Sequence, residues 1–262
     1  MRPLVDRFRA RTSLVSLSCV IALAGCSSWH TQQRFAGGVE VHSFRHSFAN
    51  VHLVTQGANA FLVDSGLESD APRFESDIRS AGYDPARLRA VIVTHGHADH
   101  AGGARYFQQR YHVPVVGGVD DSGMFLTGRN ERLCATDFSG RQQLSRWQYA
   151  IYTPTRVDVP VSHTLDLATL TGIAGSVVPV AGHTPGSLVV TVGEAVFVGD
   201  MFRGGIVSDS ASVHFYMCDL DDNRRDVRWL LTELAPGGRT FFPGHFAAVT
   251  RADVAREFDL EP

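Results

Sequence analysis

Residues 94–103 read THGHADHAGG. This stretch places three imidazoles and one carboxylate within six positions, at His95, His97, Asp99 and His100. The apolar β-branched run just before it, residues 91–93, is typical of a buried strand. Side chains alternate along an extended backbone, so the first two histidines can face the same way and share one ion. Neutral imidazole and carboxylate are ligands that zinc and similar ions prefer.

The composition is that of a folded protein with one sizeable core. The chain has 262 residues, of which 44% are apolar and 19% are charged. This length holds one domain, or one domain with a small appendage. All 24 basic residues are arginines, they are scattered, and the formal net charge is -3. We therefore expect no nucleic-acid partner, because such proteins carry a basic surface.

The N-terminal residues 1–25 have the features of a secretory signal: several arginines, then a short apolar run that ends in small residues. The end of this segment, Leu-Ala-Gly followed by Cys26, resembles the lipobox of bacterial lipoproteins. That resemblance implies a lipid on Cys26 that anchors the protein in the cell envelope. Ser27 follows, and the lack of Asp there favours the outer membrane, facing the periplasm. A plain signal peptide that leaves Cys26 free is the alternative.

Residues 26–38 are polar and rich in glycine near their end, which predicts a tether before a domain at 39–262. Alternating or apolar patterns predict strands at 39–44, 51–55, 60–64, 88–94, 113–116, 176–181, 188–192, 195–198 and 239–243. Amphipathic patterns predict helices at 69–81, 101–111, 219–234 and 252–258. We interpret residues 120–155, which mix aromatic and helical patterns, as a helical excursion over the site mouth. Core packing of those aromatics is the alternative.

Three more residues that can bind a metal follow apolar strands later in the chain. His183 comes directly after the strand predicted at 176–181, Asp200 after 195–198 and His245 after 239–243. Each of them lies beside glycine or proline, as expected where a strand ends in a turn.

These motifs occur in one order: Asp64-Ser65-Gly66, then His-x-His-x-Asp-His over residues 95–100, then His183, Asp200 and His245. In this the chain resembles the metallo-β-lactamase-fold superfamily of metallohydrolases, over nearly the whole mature domain. The resemblance implies an α/β fold, a four-layer αββα sandwich. Two sets of predicted strands, each with its helices, agree with that order of layers.

The resemblance also implies two metal sites. His95, His97 and His183 would hold the first ion, and Asp99, His100 and His245 the second. Asp200 would bridge both ions, with a hydroxide between them, and Asp99 would also orient that nucleophile. Asp64 would support a ligand histidine. Two divalent cations are expected, zinc first, with iron or manganese as alternatives.

Chemically, such a centre predicts a hydrolase for a small-molecule ester, thioester or lactone, in the glyoxalase II-like or lactonase-like branch. The alternatives are a β-lactamase or another periplasmic metallohydrolase, a mononuclear iron persulfide dioxygenase and, last, a non-catalytic metal-binding lipoprotein. Asp200 argues against a β-lactamase, because those enzymes lack this carboxylate.

Several further residues are weaker candidates. Arg203 could pair with a substrate carboxylate, and His214 and Tyr216 lie in a segment that could face the substrate. Cys134 and Cys218 would pair in an oxidising compartment, but two buried free thiols explain them equally well. The sequence leaves the oligomeric state open.

Overall fold

The computed structural model describes residues 29–206 and 210–260. The predicted signal at 1–25 and the proposed lipidation site Cys26 lie outside these residues, so both stay predictions. In the part of the chain that is described, no helix has the length and apolar character needed to cross a bilayer.

The strands of the described residues are short. They are β1 (Trp29–Arg34), β2 (Val39–His46), β3 (Ala49–Gln56), β4 (Asn59–Val63), β5 (Val91–Ile92), β6 (Val115–Gly118), β7 (Val159–Val161), β8 (Leu165–Asp166), β9 (Ser176–Pro179), β10 (Leu188–Val192), β11 (Ala195–Gly199), β12 (Arg203–Gly204), β13 (Ala211–Ser212), β14 (Thr240–Pro243) and β15 (Val249–Thr250). The helices are α1 (Ala71–Ser80), α2 (Ala98–Ala101), α3 (Ala104–Tyr111), α4 (Ser122–Thr127), α5 (Phe138–Gln148), α6 (Leu167–Thr171), α7 (Leu220–Trp229) and α8 (Arg251–Glu257).

Two large sheets organise the domain. The first has seven strands in the order β1 to β7, antiparallel up to β4 and parallel from there on. The second has six strands in the order β15-β14-β11-β10-β9-β8, in which only the β11–β14 pair is parallel. A small β12–β13 ribbon lies apart from both sheets.

Alternation along the strands divides the buried side chains into three layers. In β4, Leu62 packs with the helices α1 and α3, whereas Phe61 packs toward the second sheet. In β11, Phe197 packs toward the first sheet and Val196 toward α7 and α8. One apolar cluster therefore lies between the two sheets and one lies on the outer face of each. This arrangement confirms the αββα sandwich.

Some predicted boundaries differ from the structure. Part of the expected tether is ordered: Trp29–Arg34 form β1, which pairs antiparallel with β2 in register Trp29↔Arg45. The segment resembles a tether in sequence because an edge strand with one exposed face carries few apolar residues. Of the strand predicted at 88–94, β5 covers Val91–Ile92, although Arg89 and Val93 also donate backbone hydrogen bonds to neighbouring strands.

The segment at 120–155 is helical, as expected, through α4 and α5. Some of its aromatic residues pack in the core, and others are exposed. Phe125 is fully buried in the core, whereas Phe138 and Tyr149 are exposed. The predicted helix at 219–234 begins with an Asp219 cap on Asp222 N and turns from α to π geometry at Leu230. β7, β8 and α6 lie between the predicted segments at 120–155 and 176–181, where no element is predicted.

Candidate metal centre

The loop between β5 and α2 presents His95 and His97 side by side. His95 Nε2 lies 3.0 Å from His97 Nδ1. Gly96 between them packs against α4 so closely that a Cβ would lie 2.7 Å from Met124 Cβ. Only glycine fits there without a shift of the helix, so this residue sets how close the loop comes to α4.

The end of β9 brings a third imidazole to the same point. His183 Nε2 lies 3.2 Å from His97 Nδ1. Three nitrogens at the corners of a tetrahedral zinc site lie about 3.3 Å apart, given zinc–nitrogen distances of about 2.0 Å. The spacing of these three rings is therefore close to that of a zinc site. These three residues could hold one ion, which stays a prediction.

A second group of donors forms beside the first. His245 Nε2 lies 3.4 Å from Asp99 Oδ2, and His100 Nε2 lies 3.9 Å from the same oxygen. His245 Nδ1 donates to the backbone carbonyl of Phe48 over 2.8 Å, so its Nε2 is left with the lone pair. Gly244 is required in the turn, because a Cβ there would lie 2.3 Å from His100 Cε1.

Asp200 lies between the two groups. Its Oδ1 is 3.3 Å from His100 Nε2, and its Oδ2 is 3.3 Å from His245 Nε2. The same Oδ2 is 3.7 Å from His95 Nε2 and 3.8 Å from His183 Nε2. The carboxylate thus faces both groups, as expected for a bridging ligand.

The donor set fits a pair of divalent cations. Four sets of ligand atoms, each within 4.8 Å of one another, come from the predicted residues and His214: His95, His97 and His183; His95, His100 and Asp200; Asp99, His100 and His245; and His183, Asp200 and His214. His100 Nε2 and Asp200 Oδ1 are buried and have no hydrogen-bond partner. Buried polar atoms without a partner are costly, and cations held here would satisfy both.

The protonation states of His95, His183 and Asp200 suit metal binding, whereas the nearby carboxylates, Asp200 first, outweigh burial and raise the pKa of His100 and of His245. Burial lowers the pKa of His95 and of His183 well below the usual value, and the neighbouring imidazoles add to this effect. Burial alone would raise the pKa of Asp200, but His214, His245 and His100 together hold it well below the usual value. Neutral imidazoles and an ionised carboxylate are the forms that bind cations.

One protein-family model matches the sequence that forms this site. The model of the metallo-β-lactamase superfamily matches residues 45–245, which is more than half of the chain. The chain belongs to the metallo-β-lactamase superfamily. The predicted family is thereby confirmed.

Relatives within the superfamily match over shorter segments. The hydroxyacylglutathione hydrolase of Dechloromonas aromatica (strain RCB) is 26% identical over 154 residues, which are 59% of this chain and 44% of that protein. The probable metallo-hydrolase YybB of Bacillus subtilis (strain 168) is 34% identical over 63 residues, 24% of this chain and 27% of that protein. The chain matches less than half of the length of either protein.

Solved structures of the superfamily share the fold. A metallo-β-lactamase from Cronobacter sakazakii is 17% identical with a TM-score of 0.60, over 84% of this chain and 87% of that one. The FEZ-1 metallo-β-lactamase from Legionella gormanii is 19% identical with a TM-score of 0.57, over 82% and 79%. At these identities the likeness shows the fold alone.

Asp64 lies beside His100, one of the predicted ligands. Its Oδ2 lies 2.9 Å from His100 Nδ1. The carboxylate also accepts from the backbone N–H of Thr94 over 2.7 Å. Asp64 itself has a positive φ of 62°, which places it at a tight turn after β4. With Nδ1 held by Asp64, His100 turns Nε2 toward the metal position.

The loops that carry the ligands are held by polar residues that the sequence analysis missed. Asp121 accepts from Gly96 N and from Gly186 N, each over 2.8 Å, and from the Thr184 hydroxyl over 2.8 Å. It therefore ties the His95–His97 loop to the loop of His183. No local pattern marks this residue, because its partners lie 25 and 65 positions away.

The three weaker candidates, His214, Tyr216 and Arg203, differ in their distance from the predicted ligands. His214 lies in the site, with Nε2 3.0 Å from Asp200 Oδ2. Tyr216 lines the cleft above the ligands, and its hydroxyl donates to the Gly140 carbonyl over 3.3 Å. Arg203 lies behind the cleft wall, with its guanidinium stacked 4.2 Å from the Phe215 ring centroid. The cleft residues therefore include the first two candidates and not the arginine.

A disulfide links two loops that lie beside the predicted ligands. Cys134 and Cys218 are bonded, which decides the open question of their pairing. Around them, residues 134–136 and 214–218, here called the linked loops, pair through Thr136 N to Phe215 O at 2.9 Å and Met217 N to Cys134 O at 2.8 Å. This pairing holds the segment of His214 over the metal ligands.

Proposed function

We propose that this protein is a metal-dependent hydrolase that uses two divalent cations, zinc first, to cleave an ester, thioester or lactone bond. One observation carries the proposal: the Asp200 carboxylate faces both ligand groups, with one oxygen 3.3 Å from His100 Nε2 and the other 3.3 Å from His245 Nε2. A carboxylate so placed suits a pair of ions that act on one substrate.

The relatives favour this bond type over a β-lactam. Several of them are hydroxyacylglutathione hydrolases, enzymes named for a thioester. The structural neighbours named for β-lactamase activity share the fold at 16–19% identity and so do not bear on the substrate. A carboxylate at position 200, which β-lactamases lack, also favours the ester or thioester class.

The residues of the chain have separate tasks in such a reaction. Bound divalent cations supply Lewis-acid polarisation of the substrate and activation of water. Asp99 lies beside His245, with one oxygen able to accept a proton from the attacking water. His214 Nε2 faces Asp200 Oδ2, the oxygen that lies between the two ligand groups. An N–H at this place can donate to a substrate oxygen as that oxygen gains negative charge.

The experiment is a substrate panel with zinc-loaded protein: an alkyl ester, a thioester, a lactone, a phosphodiester and a cephalosporin. We expect turnover of at least one of the first three and two metals per chain by elemental analysis. Asp200→Asn should lose both activity and metal, because it removes the shared carboxylate charge. Asp221→Asn, at an exposed position on α7, is the control and should retain both.

Other outcomes would contradict the proposal. Turnover of the cephalosporin alone would make the protein a β-lactamase. One iron per chain after purification without added metal, with oxygen-dependent persulfide oxidation, would make it a dioxygenase. No turnover with both metals bound would favour a non-catalytic binding protein.

A further inference from the structure

A cleft opens from the predicted metal ligands to the surface. Its floor is Asp99, Asp200, His214 and His245. Its walls are mainly apolar, and we call it the aromatic cleft after four rings that line it, beside Leu133: Phe48, Trp147, Phe215 and Phe246.

The walls carry no charge toward the cleft. Among the described residues that line it, the polar ones beyond the ligand set are the neutral Asn130, Ser139, Gln143 and Tyr216. Three arginines stack on rings of the wall without being among the residues that line the cleft: Arg203 lies 4.2 Å from the Phe215 ring centroid, Arg146 5.3 Å from that of Trp147 and Arg45 5.8 Å from that of Phe246. A charged group bound in the cleft would thus be desolvated without an ion-pair partner.

The aromatic rings are held in place rather than left loose. Phe48 and Trp147 meet edge to face with centroids 6.3 Å apart, and Phe215 and Phe246 do the same at 6.1 Å. Phe246 has a positive φ of 66°, an uncommon backbone conformation for a bulky residue. Such outliers cluster at binding sites, where the surrounding structure fixes them.

The apolar surface is exposed next to the reacting centre. Phe48 is 41% exposed, and the other three rings are half-buried. Apolar patches of this kind, in a groove with polar groups at its floor, are typical of ligand sites. A second cleft adjoins the first at His97 and also carries charged side chains, those of Glu131, Arg132, Asp219 and Asp222, so it gives the other half of a substrate a path of different character.

Given the hydrolase function proposed above, we propose that the aromatic cleft selects substrates whose acyl group is uncharged and apolar, such as an arylacetyl group. The acyl group lies between the Phe48–Trp147 and Phe215–Phe246 pairs, and the scissile carbonyl faces Asp200 and His214. The polar leaving group occupies the second cleft. Substrates with a charged acyl group are excluded by the uncharged wall.

The test compares three thioesters that share a methanethiol leaving group and differ in the acyl part: acetyl, phenylacetyl and 4-carboxyphenylacetyl. With zinc-loaded full-length protein, we expect kcat/KM for phenylacetyl to exceed both others by about tenfold or more, since burial of a ring contributes that much binding. Equal rates for all three, or faster turnover of the carboxylated substrate, would overturn the proposal.

Two pairs of variants locate the effect. Trp147→Ala and Phe48→Ala should bring the phenylacetyl-to-acetyl ratio of kcat/KM down by about tenfold, toward one. Their matched controls are Trp229→Ala and Phe138→Ala, which remove exposed aromatic residues outside the cleft. These controls should keep the wild-type ratio. A similar loss in the controls would show that the aromatic cleft is not the selecting surface.

A binding measurement separates this proposal from the hydrolase proposal. If none of the three thioesters is turned over, thioester hydrolysis fails by that result alone, and the ester and lactone of the substrate panel decide the rest of the hydrolase proposal. Titration calorimetry with N-methylphenylacetamide and N-methylacetamide, neither of which has to react, then still tests the cleft. Tighter binding of the phenyl compound by about tenfold, lost in Trp147→Ala, supports it. Equal affinities overturn it.

Discussion

At the scale of single residues, two buried aspartates hold the predicted metal ligands in position. Neither aspartate is itself a proposed ligand. Asp64 holds His100 by its Nδ1, and Asp121 holds the two loops of His95 and His183 through three hydrogen bonds. Both carboxylates are almost fully buried. Their effect on the metal is indirect, since they fix the positions of the groups that would bind it.

Asp121→Asn should weaken metal binding. An amide presents one oxygen and an NH₂ to three donors, so at least one of the Gly96, Thr184 and Gly186 bonds is lost. We expect zinc affinity, measured by competition with a chromogenic chelator, to fall by about 10–100-fold. The neighbouring Asp120, which is exposed, gives the control Asp120→Asn with unchanged affinity. Equal affinities for both variants would refute the positioning role.

A buried histidine outside the metal centre should make the fold sensitive to acid. His52 is packed against Phe197 and Phe242 between the sheets, with Nδ1 2.8 Å from the Ser43 hydroxyl. Burial lowers its pKa from 6.5 to about 4. Between these values the unfolded chain binds a proton that the folded chain does not, so the free energy of unfolding falls as the pH is lowered.

The expected loss is about 3 kcal/mol between pH 6.5 and pH 4, from about 1.4 kcal/mol for each unit of pKa shift. It is checked by urea unfolding of the wild type and of His52→Phe across this range. The variant should lose less stability on acidification by about that amount, whereas His163→Phe, at an exposed position, should follow the wild type. Parallel pH curves for all three proteins would contradict the assignment.

At the scale of elements, the ligands lie where strands end. β5, β9, β11 and β14 lead into His95, His183, Asp200 and His245 in turn. The strands are fixed by the two sheets, so their ends meet at one edge of the sandwich and bring four distant parts of the chain together. The linked loops close over this edge and join α5 to the segment of His214 through hydrogen bonds and the disulfide.

Removal of the disulfide should therefore affect both stability and the site. The bond joins residues 84 positions apart, and closing a loop of that length contributes about 2–4 kcal/mol. In Cys134→Ser/Cys218→Ser, the free energy of unfolding measured with denaturant should be lower by that amount. The variant should also hydrolyse its best substrate more slowly, because His214 loses its support. Addition of dithiothreitol to the wild type should reproduce the change, and addition to the double variant should do nothing. A dithiothreitol effect on the double variant would point to another cause.

At the scale of the whole molecule, the αββα sandwich explains why so many polar groups can be buried in one place. Three apolar clusters hold the four layers together, independently of the metal centre. The imidazoles and carboxylates lie at the edge where the sheets meet, and cations there would balance their charge. A disulfide in the same domain agrees with folding in an oxidising compartment, which the signal sequence predicts.

The predicted anchor is tested on the whole protein. Expressed in a Gram-negative host, the wild type should be found in the outer-membrane fraction and should incorporate labelled palmitate, because Cys26 follows a lipobox-like sequence. Cys26→Ser should incorporate no label and lose the membrane association. Cys19→Ser, within the predicted signal, serves as the control and should behave as the wild type. A soluble, unlabelled wild type would show that the segment is a plain signal peptide.

The family, the layer order and seven ligand candidates could be predicted from the sequence. Ligand types such as His95 and His97 are recognised by local spacing, and the alternating strand patterns need only neighbouring residues. Asp121, the disulfide and the Phe246 conformation could not be predicted, because each depends on contacts between positions far apart in the chain. The sequence thus determined which chemistry the chain can carry. The packing of the loops decided how the ligands are held and which groups line the cleft, since those distances exist only once the sheets have met.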